Sequence, residues 1–141
     1  MDKIIDGEGR ILGRISTHAA KMLLNGDSVM IINAEKIVIS GHLKDIVAKY
    51  KQRVEFKDKA NPEHSPYVSR RPDLFVKRVV RGMLPYRRPK GKDAYKRLRV
   101  YMGVPEGITA TDATDIKKAE EVYDDIMTIK TLAEKLGYKG A

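Results

Sequence analysis

The chain has 141 residues, 42% of them hydrophobic, no cysteine and a formal net charge of +9. That composition supports one domain with a true core, and it excludes a wholly disordered basic protein, disulfides and thiolate metal sites. No window approaches the roughly 18 consecutive apolar residues of a membrane span, and the N-terminal MDKIIDG has no signal-peptide pattern, so a cytoplasmic protein is expected.

Ile4-Ile5 before Asp6-Gly7-Glu8-Gly9 predicts a short strand ending in a turn. From about Gly13, Ile15, Ala19, Met22 and Leu23 recur at helical spacing, and Asn25-Gly26 supplies a stop. Ser28 to Asn33 is a nearly continuous apolar run, as in a strand covered on both faces. Ile37-Val38-Ile39 predicts another strand, closed by Ser40-Gly41. Strand, helix, strand within about thirty residues is the unit of an α/β fold with a parallel sheet.

A second helix is expected from about His42 to Phe56, with Leu43, Ile46, Val47, Tyr50 and Val54 on one stripe. Residues 57–71 carry no apolar period and read as a long functional loop. Pro72 suits the first position of a third helix, and Asp73 favours the N-terminal end of its dipole. That helix, about Asp73 to Leu84, places Phe75, Val76, Val79, Val80 and Met83 on one arc and Lys77, Arg78 and Arg81 opposite. Tyr86 to Lys92 reads as a basic loop, and Asp93 to Arg99 as a short helix with Ala94, Tyr95 and Leu98 inward. A brief strand at Val100-Tyr101-Met102 follows. Further helices are expected from about Ala113 to Tyr123 and within Met127 to Gly137, the latter with Thr128 or Thr131 as cap and Gly137 as stop.

Few motifs suggest chemistry. Gly7-x-Gly9-x-x-x-Gly13 has the wrong spacing for a dinucleotide fingerprint and lacks the Gly-Lys-Ser/Thr of a P-loop, so glycines serving a tight turn are preferred. Met127 to Gly137 resembles the first helix of a helix-turn-helix, but four residues remain after the glycine and cannot build a recognition helix. His18, His42 and His64 lie on separate elements, and no metal cluster or catalytic dyad is visible. No catalytic residue, metal, cofactor or small-molecule substrate is therefore expected.

The charge distribution is more telling. Residues 1–48 balance six basic against six acidic side chains, residues 49–99 carry seventeen against five, and residues 100–141 carry five against eight. Concentrated charge of this kind is an electrostatic footprint for nucleic acid or an anionic membrane. Between 70 and 99, Arg outnumbers Lys eight to four, which favours bidentate phosphate contacts. Tyr67, Tyr86, Tyr95 and Tyr101 are interleaved, free either to stack on bases or to pack inward. The absence of an intact groove-reading motif places RNA above DNA.

Several stretches together carry a resemblance. Asp6-Gly7-x-Gly9-x-x-Leu12-Gly13-Arg14-Ile15, Val29 to Glu35 with Ile39-Ser40-Gly41, Val80-Arg81-Gly82-Met83-Leu84-Pro85, Arg97-Leu98-x-Val100-Tyr101-x-Gly103 and Thr131 to Lys139 follow in order. The chain thereby resembles the universal large-subunit ribosomal protein family conventionally numbered thirteen. Val104-Pro105-Glu106 stands where bacterial members usually carry His-Pro. With the short length, this points to an archaeal-type member. The resemblance implies a three-layer α/β/α domain over 1–141 on a small, mostly parallel sheet of about four strands. It also implies a non-enzymatic constituent of the large ribosomal subunit, partnered by large-subunit rRNA and neighbouring ribosomal proteins, with no membrane contact.

On this reading the rRNA-binding surface comprises Lys49, Arg53, Arg70, Arg71, Lys77, Arg78, Arg81, Arg87, Arg88, Lys90, Lys92, Lys96, Arg97 and Arg99. Arg10 and Arg14 extend it if the first turn lies on the same side. The alternatives from other classes are a nucleotide-binding α/β enzyme and a DNA-binding regulator.

Overall fold

A computed structural model describes residues 2–108 and 125–140. The helix expected over about 113–123 lies outside the described residues. Strands β1 (Asp2–Asp6), β2 (Ser28–Ile32) and β4 (Leu98–Val100) form a parallel sheet in the order β1-β2-β4. β2 is its centre because Val29, Ile31 and Ile32 are all buried, so the strand suits cover on both faces. Helix α1 (Leu12–Leu24) makes the β1–β2 crossover and buries Leu12, Ile15, Ala19, Ala20 and Leu23. The order β1-β2-β4 takes both crossovers the same way across the sheet. With right-handed connections, the helices of both then lie on one face. Accordingly α1 packs against both α3 (Pro72–Gly82) and α4 (Pro89–Lys96).

The expected α/β architecture with a mostly parallel sheet is present, but not all strands join one sheet. β3 (Val38–Ser40) pairs antiparallel with β5 (Ile126–Thr128) and touches the first turn through a parallel bridge from Val38 to Ile11. Sequence periodicity gave no strand at Ile126–Thr128. Its three residues are extended because β3 supplies a pairing edge, and Ile129 N then donates to the Ile37 carbonyl at 2.8 Å. Helix α5 (Ile129–Lys135) starts immediately afterwards. Thr128 Oγ1 accepts from Thr131 N at 3.2 Å, which makes Thr128 the cap. Gly137, at φ +103°, ends this helix as expected.

Two further boundaries differ from the periodicity. The last basic helix begins at Pro89, so Pro89 to Lys92 belong to α4 rather than to a loop. Proline at a helix start loses no intrahelical donor. The accompanying strand is Leu98–Val100, two residues earlier than expected, because Val29 N donates to the Arg97 carbonyl and draws the chain onto β2 at that point. Tyr101 N continues the pairing to Ile31 O at 2.9 Å.

Helix α2 (Leu43–Glu55) is the least embedded element. Of its expected apolar stripe only Ile46 is buried; Val47, Tyr50 and Val54 are half-buried, and Leu43 is exposed. The 57–71 stretch folds on itself, with Asp58 N donating to Ser65 Oγ at 2.8 Å and a 3-10 turn at Pro62–His64.

Candidate nucleic-acid interface

The amphipathic pattern of α3 sets the site. Phe75, Val76 and Val80 turn into the core, and the opposite face carries Arg78 exposed with Lys77 and Arg81 half-buried. Val79 is half-buried, and Met83 lies outside the expected inward arc at 42% exposure. The helix ends at Gly82, and Met83 as its C-cap keeps an αR backbone but donates to Val80 O, three residues back, at 3.0 Å. Its sulfur accepts from Thr17 Oγ1 at 3.7 Å, which brings the exposed start of α1 beside the end of α3. Arg14, one turn before Thr17, is exposed on that side.

After α3 the chain reverses through Leu84 and Pro85. Gly91 enforces the reversal: a Cβ there would overlap the Pro85 carbonyl, so α4 can cross the turn only with glycine at that point. The result is a groove of about 540 Å³ lined by Arg78, Arg81, Arg87 and Arg88 around Leu84-Pro85-Tyr86. The Arg81 guanidinium lies 3.9 Å from the centre of the Tyr86 ring, and Tyr86 meets Tyr95 edge-on at 5.4 Å. Lys77 covers the Tyr95 ring at 5.1 Å. Burial pushes the Tyr95 hydroxyl's pKa up, although Arg81 and Arg78 pull it the other way. Stacking of this kind holds cations at set angles while leaving their N–H groups available. Tyr86 and Tyr95 therefore pack with the cations, whereas Tyr67 is 83% exposed.

A second, more apolar groove of about 710 Å³ lies between α2, α3 and the 57–71 loop, with Arg53 and Arg78 among its lining residues. On its α2 side, Lys49 and Arg53 stand 5.8 and 5.3 Å from the Tyr50 ring, which meets Phe75 edge-on at 5.0 Å. Lys77 and Arg99 share a separate shallow depression beside β4. Lys90, Lys92 and Lys96 are exposed on α4.

Some candidates commit donors to the fold: Arg10 and Arg97 are half-buried, whereas Arg70 and Arg71 bond to it and are still exposed. Arg97 Nη2 donates to the Leu23 carbonyl at 2.6 Å and its Nε to the Asp27 carbonyl at 3.4 Å. Arg70 Nε donates to the Leu136 carbonyl at 2.8 Å, and Arg71 Nε pairs with Asp73 Oδ1 at 2.9 Å. Arg10 Nη1 donates to the Asp6 carbonyl at 2.9 Å within the first turn. Arg71 has its carboxylate partner, Asp73, close by in the chain. Charge counting could not separate Arg10, Arg70 and Arg97 from the others, because their partners are backbone carbonyls far away in sequence or in a turn. The same is true of Phe56 and Leu74, groove residues that the periodicity did not single out.

From Lys77 to Arg99, no basic side chain is ion-paired with a carboxylate among the described residues. Neither groove is lined by a carboxylate among the described residues. The same residues contain no group of His, Asp and Glu able to hold a metal, and no helix long and apolar enough to cross a membrane.

The family model for ribosomal protein L13 matches residues 2–107. The chain belongs to the ribosomal protein L13 family. Proteins named large ribosomal subunit protein uL13 are similar to it along nearly their whole length. The one from Methanosphaera stadtmanae is 43% identical, covering 99% of each chain. Those from Archaeoglobus fulgidus and Methanocaldococcus jannaschii are 42% and 40% identical, covering 97% and 96% of this chain and 88% and 98% of the relatives. These relatives are archaeal, in keeping with the archaeal type expected from Val104-Pro105-Glu106. The L13 family is not an enzyme family. Neither alternative class gains support: the Gly7 turn is packed against Ile37 and forms no phosphate loop, and no helix follows α5 among the described residues.

Proposed function

We propose that this protein is a structural constituent of the large ribosomal subunit, a single domain that binds large-subunit rRNA mainly through residues 49–99 and lies among neighbouring ribosomal proteins in the cytoplasm. The observation that carries this reading is the convergence of Arg78, Arg81, Arg87 and Arg88 on one groove with no lining carboxylate among the described residues. Fixed guanidinium groups at several angles suit phosphates of an RNA of defined shape, which a diffuse basic tail would not discriminate. Lys49, Arg53, Lys77, Lys90, Lys92, Lys96 and Arg99 widen the phosphate-binding surface. Arg14 extends it across the start of α1. Arg10, Arg70, Arg71 and Arg97 serve it less directly, because each also holds a turn or a helix end of the fold.

The test is filter binding of the chain to purified large-subunit rRNA from Methanosphaera stadtmanae. If six to ten phosphates are neutralised, affinity falls on the order of 10³–10⁵ between about 50 and 200 mM salt. Charge reversal at Arg81 and Arg88 together weakens binding while the circular dichroism of the fold is retained. Unchanged binding by that folded double variant rejects the assignment.

A further inference from the structure

The two grooves beside α3 are contiguous, since Arg78 and Gly82 line both. One side is a cluster of four arginines; the other is an apolar floor that includes Phe56, Leu74 and Val79. Phe56 is 62% exposed and Leu74 44% exposed, so two large apolar side chains stand in water directly beside fixed positive charge. That combination matches one partner chemistry well. A nucleotide carries an apolar, stackable base on an anionic backbone, and where RNA is single-stranded its unstacked bases are laid against aromatic and guanidinium planes. The floor's volume lies within the range of about 300–1,000 Å³ usual for sites that take a small organic group.

Gly82 supplies the independent observation. It closes α3 on a helical backbone, and its φ is not positive. A Cβ built there meets nothing within 4 Å. Neither turn geometry nor internal packing requires glycine at this point, and glycine weakens a helix relative to alanine. The open space at Gly82 leaves room for an approach from outside. Gly82 lines both grooves, and its missing side chain leaves the wall between them low.

We propose that the joined grooves bind a nucleotide splayed out of folded rRNA, with its base on the apolar floor, its flanking phosphates among Arg78, Arg81, Arg87 and Arg88, and its sugar-phosphate backbone crossing Gly82. This assignment rests on the rRNA-binding reading above and adds the mode of recognition. Charge complementarity favours RNA over an apolar segment of a protein neighbour, which would fill the floor but leave the arginines unmatched.

The chain contains no tryptophan, so Phe56→Trp introduces a single reporter at the exposed edge of the floor. Purified Methanosphaera stadtmanae large-subunit rRNA is the probe, and heparin is the polyanion without bases. The expected result is quenching of the tryptophan by rRNA and none by saturating heparin. In parallel, Gly82→Ala loses about tenfold or more in rRNA affinity, keeps its heparin affinity, and melts at the same or a higher temperature. The proposal is overturned if Gly82→Ala binds rRNA like the parent chain, or if its melting temperature falls. It is also overturned if the tryptophan stays unquenched while rRNA binds, in which case the rRNA reading stands without the base site. Quenching that requires added ribosomal proteins assigns the floor to a protein neighbour instead. Absence of any rRNA binding by the parent chain removes the wider reading as well.

Discussion

Arg97 Nη2 donates to the carbonyl of Leu23 at 2.6 Å, and the same side chain reaches the Asp27 carbonyl through Nε. Leu23 lies in the last turn of α1, where carbonyls lack intrahelical donors. The Leu23 carbonyl also accepts from Gly26 N at 3.2 Å, so the guanidinium adds a second donor there and meets the negative end of the helix dipole. It also ties the entry of β4 to the entry of β2. Arg97→Met is therefore expected to lower stability by about 1.5–3 kcal/mol, the scale of a hydrogen bond to a charged group. Urea denaturation measures the loss. A variant as stable as the parent would show that the pairing contributes nothing.

The turn between α3 and α4 gives a second prediction. Because a Cβ at Gly91 overlaps the Pro85 carbonyl, Gly91→Ala must displace backbone rather than a flexible side chain. The cost should be about 1–3 kcal/mol, comparable to overpacking a core. Arg87 and Arg88 move with the turn, so rRNA affinity should fall even below the melting transition. Binding measured at a temperature where the variant is fully folded separates the two effects.

Arg87 and Arg88 are exposed, and their neutralisation should leave the fold intact. Arg87→Gln with Arg88→Gln is expected to change stability by no more than about 0.5 kcal/mol. The slope of log affinity against log salt should become shallower by roughly one for each phosphate that the variant no longer neutralises. Filter binding over a salt series reads that slope, and an unaltered slope would place both residues off the RNA.

At the other end of the chain, Thr128 Oγ1 accepts from Thr131 N and caps α5. Thr128→Ala should cost about 1 kcal/mol. Thr131→Ala, which removes a hydroxyl but not the capping acceptor, should cost less. Thermal melts of the two variants decide the order.

Much of this protein is readable along the chain. The apolar run Val29–Ile32, which buries Val29, Ile31 and Ile32, the 3.6-residue stripe of α1 and the two-faced α3 are local patterns, and burial follows from them directly. The stripe on α2 is equally clear, yet it buries only Ile46. Periodicity states which face a helix could bury, whereas the neighbours decide how much surface covers it. β5 is hidden for a related reason. Three residues carry no period, and their extension depends on an edge presented by Val38–Ser40.

Residue order alone settles that positive charge concentrates between residues 49 and 99 and that α3 separates it from the core, because charge and amphipathic spacing are properties of the residues in order. Which arginines stay available depends on contacts made across the fold. Arg97 and Arg78 look alike in the chain, but one closes the end of α1 and the other lines both grooves. A guanidinium is committed or free according to which carbonyls the fold brings within about 3 Å of it, and those carbonyls lie some seventy residues away in sequence.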